Sequence, residues 1–181
     1  MSMLSAEPHS IVVTPLRRLD ETLRVTGARR VVSVVNAHLM PPTPDGVAQR
    51  NHLRLPFGDA RPDRVTAHAA QLRLVAELID FARAWPRDAP LVIHCFSGLN
   101  RSTAAAYVVL AALNPQVPES VLAQRLRAAS ATASPARPLV GLADIVLGRR
   151  GRLVAAIDMI GPGLPAAECE PFSISASDAT S

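Results

Sequence analysis

One cysteine and one arginine have a spacing that suits the binding and attack of an anion. Cys95 follows the apolar run Leu91–Ile93 and His94, five residues separate it from Arg101, and an apolar helical pattern begins there. A strand that leads through a short loop into a helix places that loop at the carboxyl edge of an α/β sheet, where ligands bind. The pattern therefore predicts an anion site between Cys95 and Arg101.

The loop between these two residues has the composition of an anion-binding nest. Helix N-termini carry unpaired N–H groups and a partial positive charge, and a tight loop with inward amides adds further donors. Gly98 permits the dihedral angles that such a loop requires. The residues that follow Cys95 up to the start of the helix are Phe96, Ser97, Gly98, Leu99, Asn100 and Arg101.

The same positive environment favours the nucleophilic thiolate form of Cys95. Arg101 can hold two oxygens of a phosphoryl group at once, and a fixed guanidinium there stabilises the charge of the transition state. Taken singly, Cys95 fits a small buried side chain, Arg101 a surface ion pair and Gly98 an ordinary turn. Their combination with the preceding strand and the following helix favours catalysis.

The segment LVIHCFSGLNRSTAAAYVVL resembles the active-site signature of the cysteine-based protein tyrosine phosphatase superfamily. The specific match covers about 91–109, and a looser similarity in layout covers about 11–148. The chain is similar in particular to the compact, dual-specificity-like branch and to short bacterial tyrosine phosphatases.

The resemblance implies a role for each matching residue. Cys95 would form a phosphocysteine intermediate, and the Arg101 side chain with the backbone amides of Phe96 to Arg101 would bind phosphate. Ser102 would donate a hydrogen bond to the sulfur, although it could equally begin the helix. His94 would orient the loop and help to ionise the thiol, although it could simply end the strand.

A general acid is also required, since the leaving oxygen needs a proton and a positioned acid contributes about 10²–10⁴ in rate. Family members carry an aspartate on a loop before the cysteine, and here that loop offers Asp59 and Asp63. Asp63 stands where a helix N-cap is expected, so Asp59 is favoured. A turn aspartate without catalytic duty is the alternative. Trp85–Asp88 is rejected as the acid loop because it directly precedes the strand of Cys95 and so belongs at the opposite end of the sheet.

Strands and helices alternate along the chain, which predicts an α/β fold with a mainly parallel sheet of four to five strands and helices on both faces. Strand patterns occur at 11–13, 31–35, 52–57 and 90–94, and helix patterns at 16–26, 64–85, 101–113, 118–130, 138–148 and 152–160. Residues 1–161 are expected to form a single phosphatase-like domain. Beyond Gly161 the composition turns to Pro, Gly and Ser, which predicts a flexible tail over 162–181.

Composition limits the partners and the compartment. The 181 residues carry a formal charge of +4, all of the cations are arginine, and no basic run is flanked by aromatic residues, so nucleic acid is not an expected partner. No segment has the length of a membrane span and no signal-peptide pattern is present, which predicts a cytoplasmic protein without membrane contact. The two cysteines, Cys95 and Cys169, give no disulfide framework.

The expected substrate is a phosphorylated protein or a small phosphate ester, with no cofactor. The histidines lack ligand spacing, so no metal is expected. A rhodanese-type sulfurtransferase and a catalytically silent phosphate-binding module are the alternative functions. Asn100 could contact substrate or brace the loop, and 131–137 is expected to pack beside the loop. The sequence has no signal for the oligomeric state.

Overall fold

The computed structural model describes residues 6–58 and 64–177. Five strands and six α-helices make up most of this part of the chain. The strands are β1 (Ser10–Pro15), β2 (Arg30–Val35), β3 (His52–Pro56), β4 (Leu91–Cys95) and β5 (Phe172–Ser175). The helices are α1 (Leu19–Thr26), α2 (Arg64–Arg83), α3 (Arg101–Leu113), α4 (Glu119–Ala129), α5 (Arg137–Val146) and α6 (Arg152–Ile160).

The five strands form one sheet in the order β3-β2-β4-β1-β5. The first four are parallel, and only β5 runs antiparallel, beside β1. The register pairs Pro15 of β1 with Cys95 of β4 and Ser33 of β2 with His94. The residues that follow these strands consequently meet at one carboxyl edge.

The central strands are apolar on both faces because helices cover both. Val12, Val31 and Val92 pack with α1 on one face. The opposite face packs against the helices from α2 onward, with α3 in the middle. Nearly all of α3 is buried, as its Ala-rich, apolar sequence predicts. These observations confirm the predicted fold class.

The C-terminal segment differs from the predicted flexible tail. Cys169 is buried, and the side chains of Phe172 and Ile174 belong to the main hydrophobic core. Two ion pairs, Arg17 with Glu168 and Arg18 with Glu170, hold the segment to the turn after β1. The sequence analysis missed this edge strand because the segment is mostly polar. Its two alternating apolar residues, Phe172 and Ile174, are enough for it to pair with β1 and cover the core there. Residues 178–181 lie outside the described part.

None of the helices in the two described ranges is both long and apolar enough to cross a membrane.

Candidate active site

Cys95 is the last residue of β4 and lies at the carboxyl edge, 3% exposed. Its Sγ accepts a hydrogen bond from the Gly98 N–H at 3.2 Å and lies 3.1 Å from Ser102 Oγ. The sulfur therefore sits inside the turn of the cysteine loop (residues 95–101), at the N-terminus of α3. A thiolate in this place receives donors from the loop and from the helix end.

The carbonyl groups of the cysteine loop point outward, toward three other segments. The Phe96 carbonyl accepts from Leu16 N–H and the Ser97 carbonyl from Cys169 N–H, at 3.2 and 2.9 Å. Those of Leu99 and Asn100 accept from the N–H groups of residues 134 and 136, at 2.9 and 3.1 Å.

Outward carbonyls orient the amides inward, because the N–H of the next residue points opposite to the carbonyl in a planar trans peptide. The amides at 97, 98, 100 and 101 consequently face away from the bracing segments. Gly98 N–H, which reaches the sulfur, is the directly observed case. This cup of donors is the geometry that an oxyanion requires.

Arg101 opens α3 and reaches across the same carboxyl edge. Its Nη1 donates to Asn36 Oδ1 at 2.7 Å and to the Phe57 carbonyl at 2.6 Å. Asn36 directly follows β2 and Phe57 follows β3, so these partners hold the guanidinium at the carboxyl edge of the sheet, beyond the ends of these two strands. Asn36 is not among the candidate residues of the sequence analysis. A polar residue directly after a buried parallel strand was the signal that could have identified it.

Ser102 is fully buried and lies on the first turn of α3. Its hydroxyl faces the sulfur of Cys95. Thr103 anchors the loop to the helix, since its hydroxyl donates to the carbonyls of Leu99 and Asn100 at 2.6 and 2.9 Å. The hydroxyl at 102 thus lies where it can donate to a sulfur anion, while its neighbour holds the helix start.

His94 is fully buried, and its Nε2 lies 2.6 Å from Ser33 Oγ. Burial lowers the pKa of His94 to about 4; the Cys95 backbone counters this in part and nearby His52 adds to it. Burial, and then the charge of Arg54, also lowers the pKa of His52 to about 4. Both rings are therefore neutral at physiological pH.

The two aspartates considered for the general acid, Asp59 and Asp63, lie outside the described residues. The preceding Gly58 abuts the site, since a side chain there would meet Arg101 Nη1 at 3.2 Å. Asp88 lies at the other end of the sheet, where it pairs with Arg29 just before β2. That position agrees with the rejection of 85–88 as an acid loop.

Neighbouring segments brace the cysteine loop. The Asn100 side chain donates to the Ser134 carbonyl at 2.9 Å, so it braces the loop, and residues 134–136 pack beside it as expected. Cys169 was placed in a polar tail by the sequence analysis but lies directly against Gly98. Both cysteines are free thiols, and burial raises the pKa of Cys169 to about 12, with a further contribution from Cys95.

No protein-family model matches the sequence, and no curated protein matches it. Among solved structures, the crystal structure of DUSP15 superposes with a TM-score of 0.55 at 14% identity, covering 88% of this chain and 94% of that chain. OH1 from the Orf virus, a tyrosine phosphatase with triple substrate specificity, matches with a TM-score of 0.36 at 18% identity, covering 84% and 79%. The chain therefore has the α/β fold of the dual-specificity phosphatase DUSP15.

Proposed function

We propose that this chain hydrolyses phosphate monoesters through a phosphocysteine intermediate, as a protein phosphatase of tyrosine or dual specificity. One observation carries the proposal. The sulfur of Cys95 accepts the Gly98 N–H at 3.2 Å and has the Ser102 hydroxyl 3.1 Å away, at the N-terminus of α3. A structural cysteine needs no such set of donors.

In the first step the Cys95 thiolate attacks phosphorus, and the bond from phosphorus to the leaving oxygen breaks. Asp59 donates a proton to that oxygen, so the alcohol or phenol departs neutral. The loop amides and Arg101 hold the equatorial oxygens, where the transition-state charge spreads. Asn36 and the Phe57 carbonyl keep the guanidinium in place while this happens.

In the second step water attacks the phosphocysteine, and the bond between phosphorus and sulfur breaks. The Asp59 carboxylate accepts a proton from the water. The Ser102 hydroxyl donates a hydrogen bond to the departing thiolate, which stabilises it as a leaving group. Inorganic phosphate then leaves, and the thiolate is restored.

The substrate is a phosphorylated protein or another phosphate ester. Phe96 directly follows the nucleophile and is 57% exposed, so its ring is free to contact the group that carries the phosphate. The route requires a reduced Cys95, which fits the cytoplasm as its compartment. Membership of the compact bacterial branch is part of this proposal. The catalytic unit would comprise residues 1–161 together with the C-terminal strand.

The decisive experiment is a steady-state assay on phosphotyrosine, phosphoserine and inositol phosphate substrates, with Cys95→Ser as the blank. We expect Cys95→Ser to abolish turnover while phosphate still protects the folded protein from unfolding. Cys169→Ser serves as the matched control for losing one thiol, and it should retain phosphocysteine formation. Turnover that survives in Cys95→Ser would overturn the proposal.

The acid assignment is tested in the same assay. Asp59→Asn should slow esters with poor leaving groups most, because an activated phenol needs no proton. Asp63→Asn is the matched comparison. If it slows the esters with poor leaving groups more than Asp59→Asn does, Asp63 is the general acid. Persulfide formation from thiosulfate without phosphatase turnover would identify a sulfurtransferase, and phosphate binding without either reaction would identify a binding module.

A further inference from the structure

A chain of polar side chains runs from the strand of the nucleophile to the surface. Ser33 Oγ lies 2.6 Å from His94 Nε2 and 2.8 Å from His52 Nε2. His52 Nδ1 lies 3.1 Å from Thr43 Oγ1, which accepts from Arg54 Nη2 at 2.9 Å. Ser33 and His94 are fully buried, and His52 is 8% exposed. The residue before the nucleophile is thus connected to a surface cation.

The outer end of this hydrogen-bond chain, at Arg54 and Thr43, favours donation of each hydrogen bond inward, toward His94. Arginine only donates, so the Thr43 oxygen accepts from Arg54, and the positive charge favours a hydroxyl proton that points away from it, to His52 Nδ1. His52 then carries its own proton on Nε2 and donates to Ser33. A hydroxyl has one proton, so Ser33 donates onward.

The inner end agrees with this direction. His94 Nε2 accepts from Ser33, so a neutral ring carries its proton on Nδ1. Within the described residues Nδ1 has no hydrogen-bond partner. The adjacent Cys95 backbone raises the pKa of the ring, so it favours a proton on the ring rather than opposing one.

We propose that Arg54, Thr43, His52 and Ser33 are positioning residues. They form a directional hydrogen-bond chain that fixes the Nδ1–H tautomer of His94 against the backbone of Cys95. The charged and titratable side chains that act on the two rings, among the residues described, are Arg54 on His52 and His52 on His94. Because both rings are neutral, their tautomers are free to respond to these neighbours. The chain aligns its dipoles toward the cysteine loop and so favours the thiolate.

Histidine tautomers can be measured directly in the intact protein by ¹⁵N NMR of imidazole-labelled samples. We expect the Nδ1–H form for His94 and the Nε2–H form for His52 at neutral pH. Thr43→Val keeps the shape of a half-buried side chain but removes the hydroxyl, so it should mix the tautomers of both rings. Thr43→Ser restores the hydroxyl and should restore the wild-type spectrum. An Nε2–H form of His94 in the wild type would overturn the proposal.

The effect on the nucleophile is read from the pH dependence of Cys95 alkylation by iodoacetamide. Ser33→Ala should lower the alkylation rate at pH 6 about three- to tenfold, the size expected for one buried hydrogen bond. Thr43→Val should change it in the same direction by less, and Thr43→Ser should not. His38→Gln removes a histidine that is not part of the hydrogen-bond chain, so it should leave the alkylation rate unchanged. Equal rates in the wild type, Ser33→Ala and Thr43→Val would overturn the proposal.

This inference rests on the proposed role of Cys95, but its readouts do not require turnover. If the protein hydrolyses no phosphate ester while the tautomers and alkylation rates respond as expected, the proposed function is wrong and the proposed hydrogen-bond chain is supported. If turnover is normal but neither readout responds, the proposed hydrogen-bond chain is wrong and the proposed function is supported.

Discussion

Gly98 is required by two separate constraints at the scale of a single residue. Its φ of +75° lies in the left-handed region, and a Cβ there would collide with Cys169 Sγ and lie 3.1 Å from Pro15 N. The first constraint is local backbone sterics. The second arises because the C-terminal segment and the end of β1 both pack against the loop. Gly98 also supplies the N–H that reaches Cys95 Sγ.

Gly98→Ala should therefore damage both stability and activity. The left-handed backbone costs about 1–2 kcal/mol, and the collision adds about 1–3 kcal/mol of overpacking. Displacement of the amide should lower kcat/KM well beyond the loss of folded protein. Denaturant unfolding and the phosphatase assay measure the two effects.

Gly148→Ala is the control for backbone strain alone, because Gly148 has a φ of +64° and no atom within 4 Å of a built Cβ. Gly148→Ala should lose only the stability that the left-handed backbone costs, about 1–2 kcal/mol, and it should keep full activity. If the two variants behaved alike, the packing of Cys169 against the loop would be of no consequence.

At the scale of elements, the helix N-terminus alone does not make the site. The cysteine loop takes its shape from the turn after β1, the segment 134–136 and the C-terminal segment, each of which binds outward carbonyls. Arg127 fixes the chain that leads into the segment 134–136. Its guanidinium donates to the carbonyls of Ala131, Ala133 and Gly161 at 2.8 Å. Sequence-distant elements thus shape a local motif.

Truncation after residue 161 should consequently destabilise the fold and abolish activity. It removes the buried side chains of Phe172 and Ile174, each of which contributes about 1.5–3 kcal/mol, and it uncovers the edge of β1. It also removes the Cys169 N–H that holds Ser97. Thermal unfolding and the phosphatase assay test this expectation.

Truncation after Ser177 is the matched control and should behave as the wild type. If the longer truncation does not fold, Phe172→Ala remains testable and should cost about 3–5 kcal/mol. Full stability and activity after truncation at 161 would support a dispensable tail instead.

At the scale of the whole molecule, the sheet buries two neutral histidines that an unfolded chain would expose to water. The folded-state pKa values of His52 and His94 are about 4, below the usual value of about 6.5. The unfolded chain therefore binds more protons than the folded one between these values. Stability must fall as the pH drops through this window and is fully present above pH 6.5.

Between pH 7.5 and pH 5 each buried histidine should remove about 2 kcal/mol from the free energy of unfolding. This window lies above pH 4.5, so the paired carboxylates Glu21 and Glu119, whose pKa values are lowered, stay ionised throughout. Denaturant titrations at the two pH values measure the difference.

His52→Gln keeps a donor to Ser33 but cannot titrate, so its pH dependence should be smaller by about 2 kcal/mol. The same pH dependence in both proteins would contradict a neutral, buried His52.

The amino-acid sequence by itself determined the fold class and the position of Cys95 at the end of a strand and before a helix. Buried parallel strands are continuous apolar runs, and helices often end at a glycine. Helix α1 ends in this way at Gly27, whose φ is +66°. Both signals are local in sequence. The loop from Cys95 to Arg101 is equally local, because a strand, a glycine-containing turn and a helix N-terminus follow one another in the chain.

Only the tertiary structure decided what surrounds that loop. Asn36, Cys169, Ser33 and His52 come to the site from positions between 43 and 74 residues away from Cys95 in sequence. Only Asn36, directly after β2, carries a local signal, and no local pattern marks the other three. The strand β5 was missed because its pairing energy comes from β1 rather than from its own composition. Hydrogen bonds and packing across a sheet depend on which strands become neighbours, and that order is a property of the folded chain.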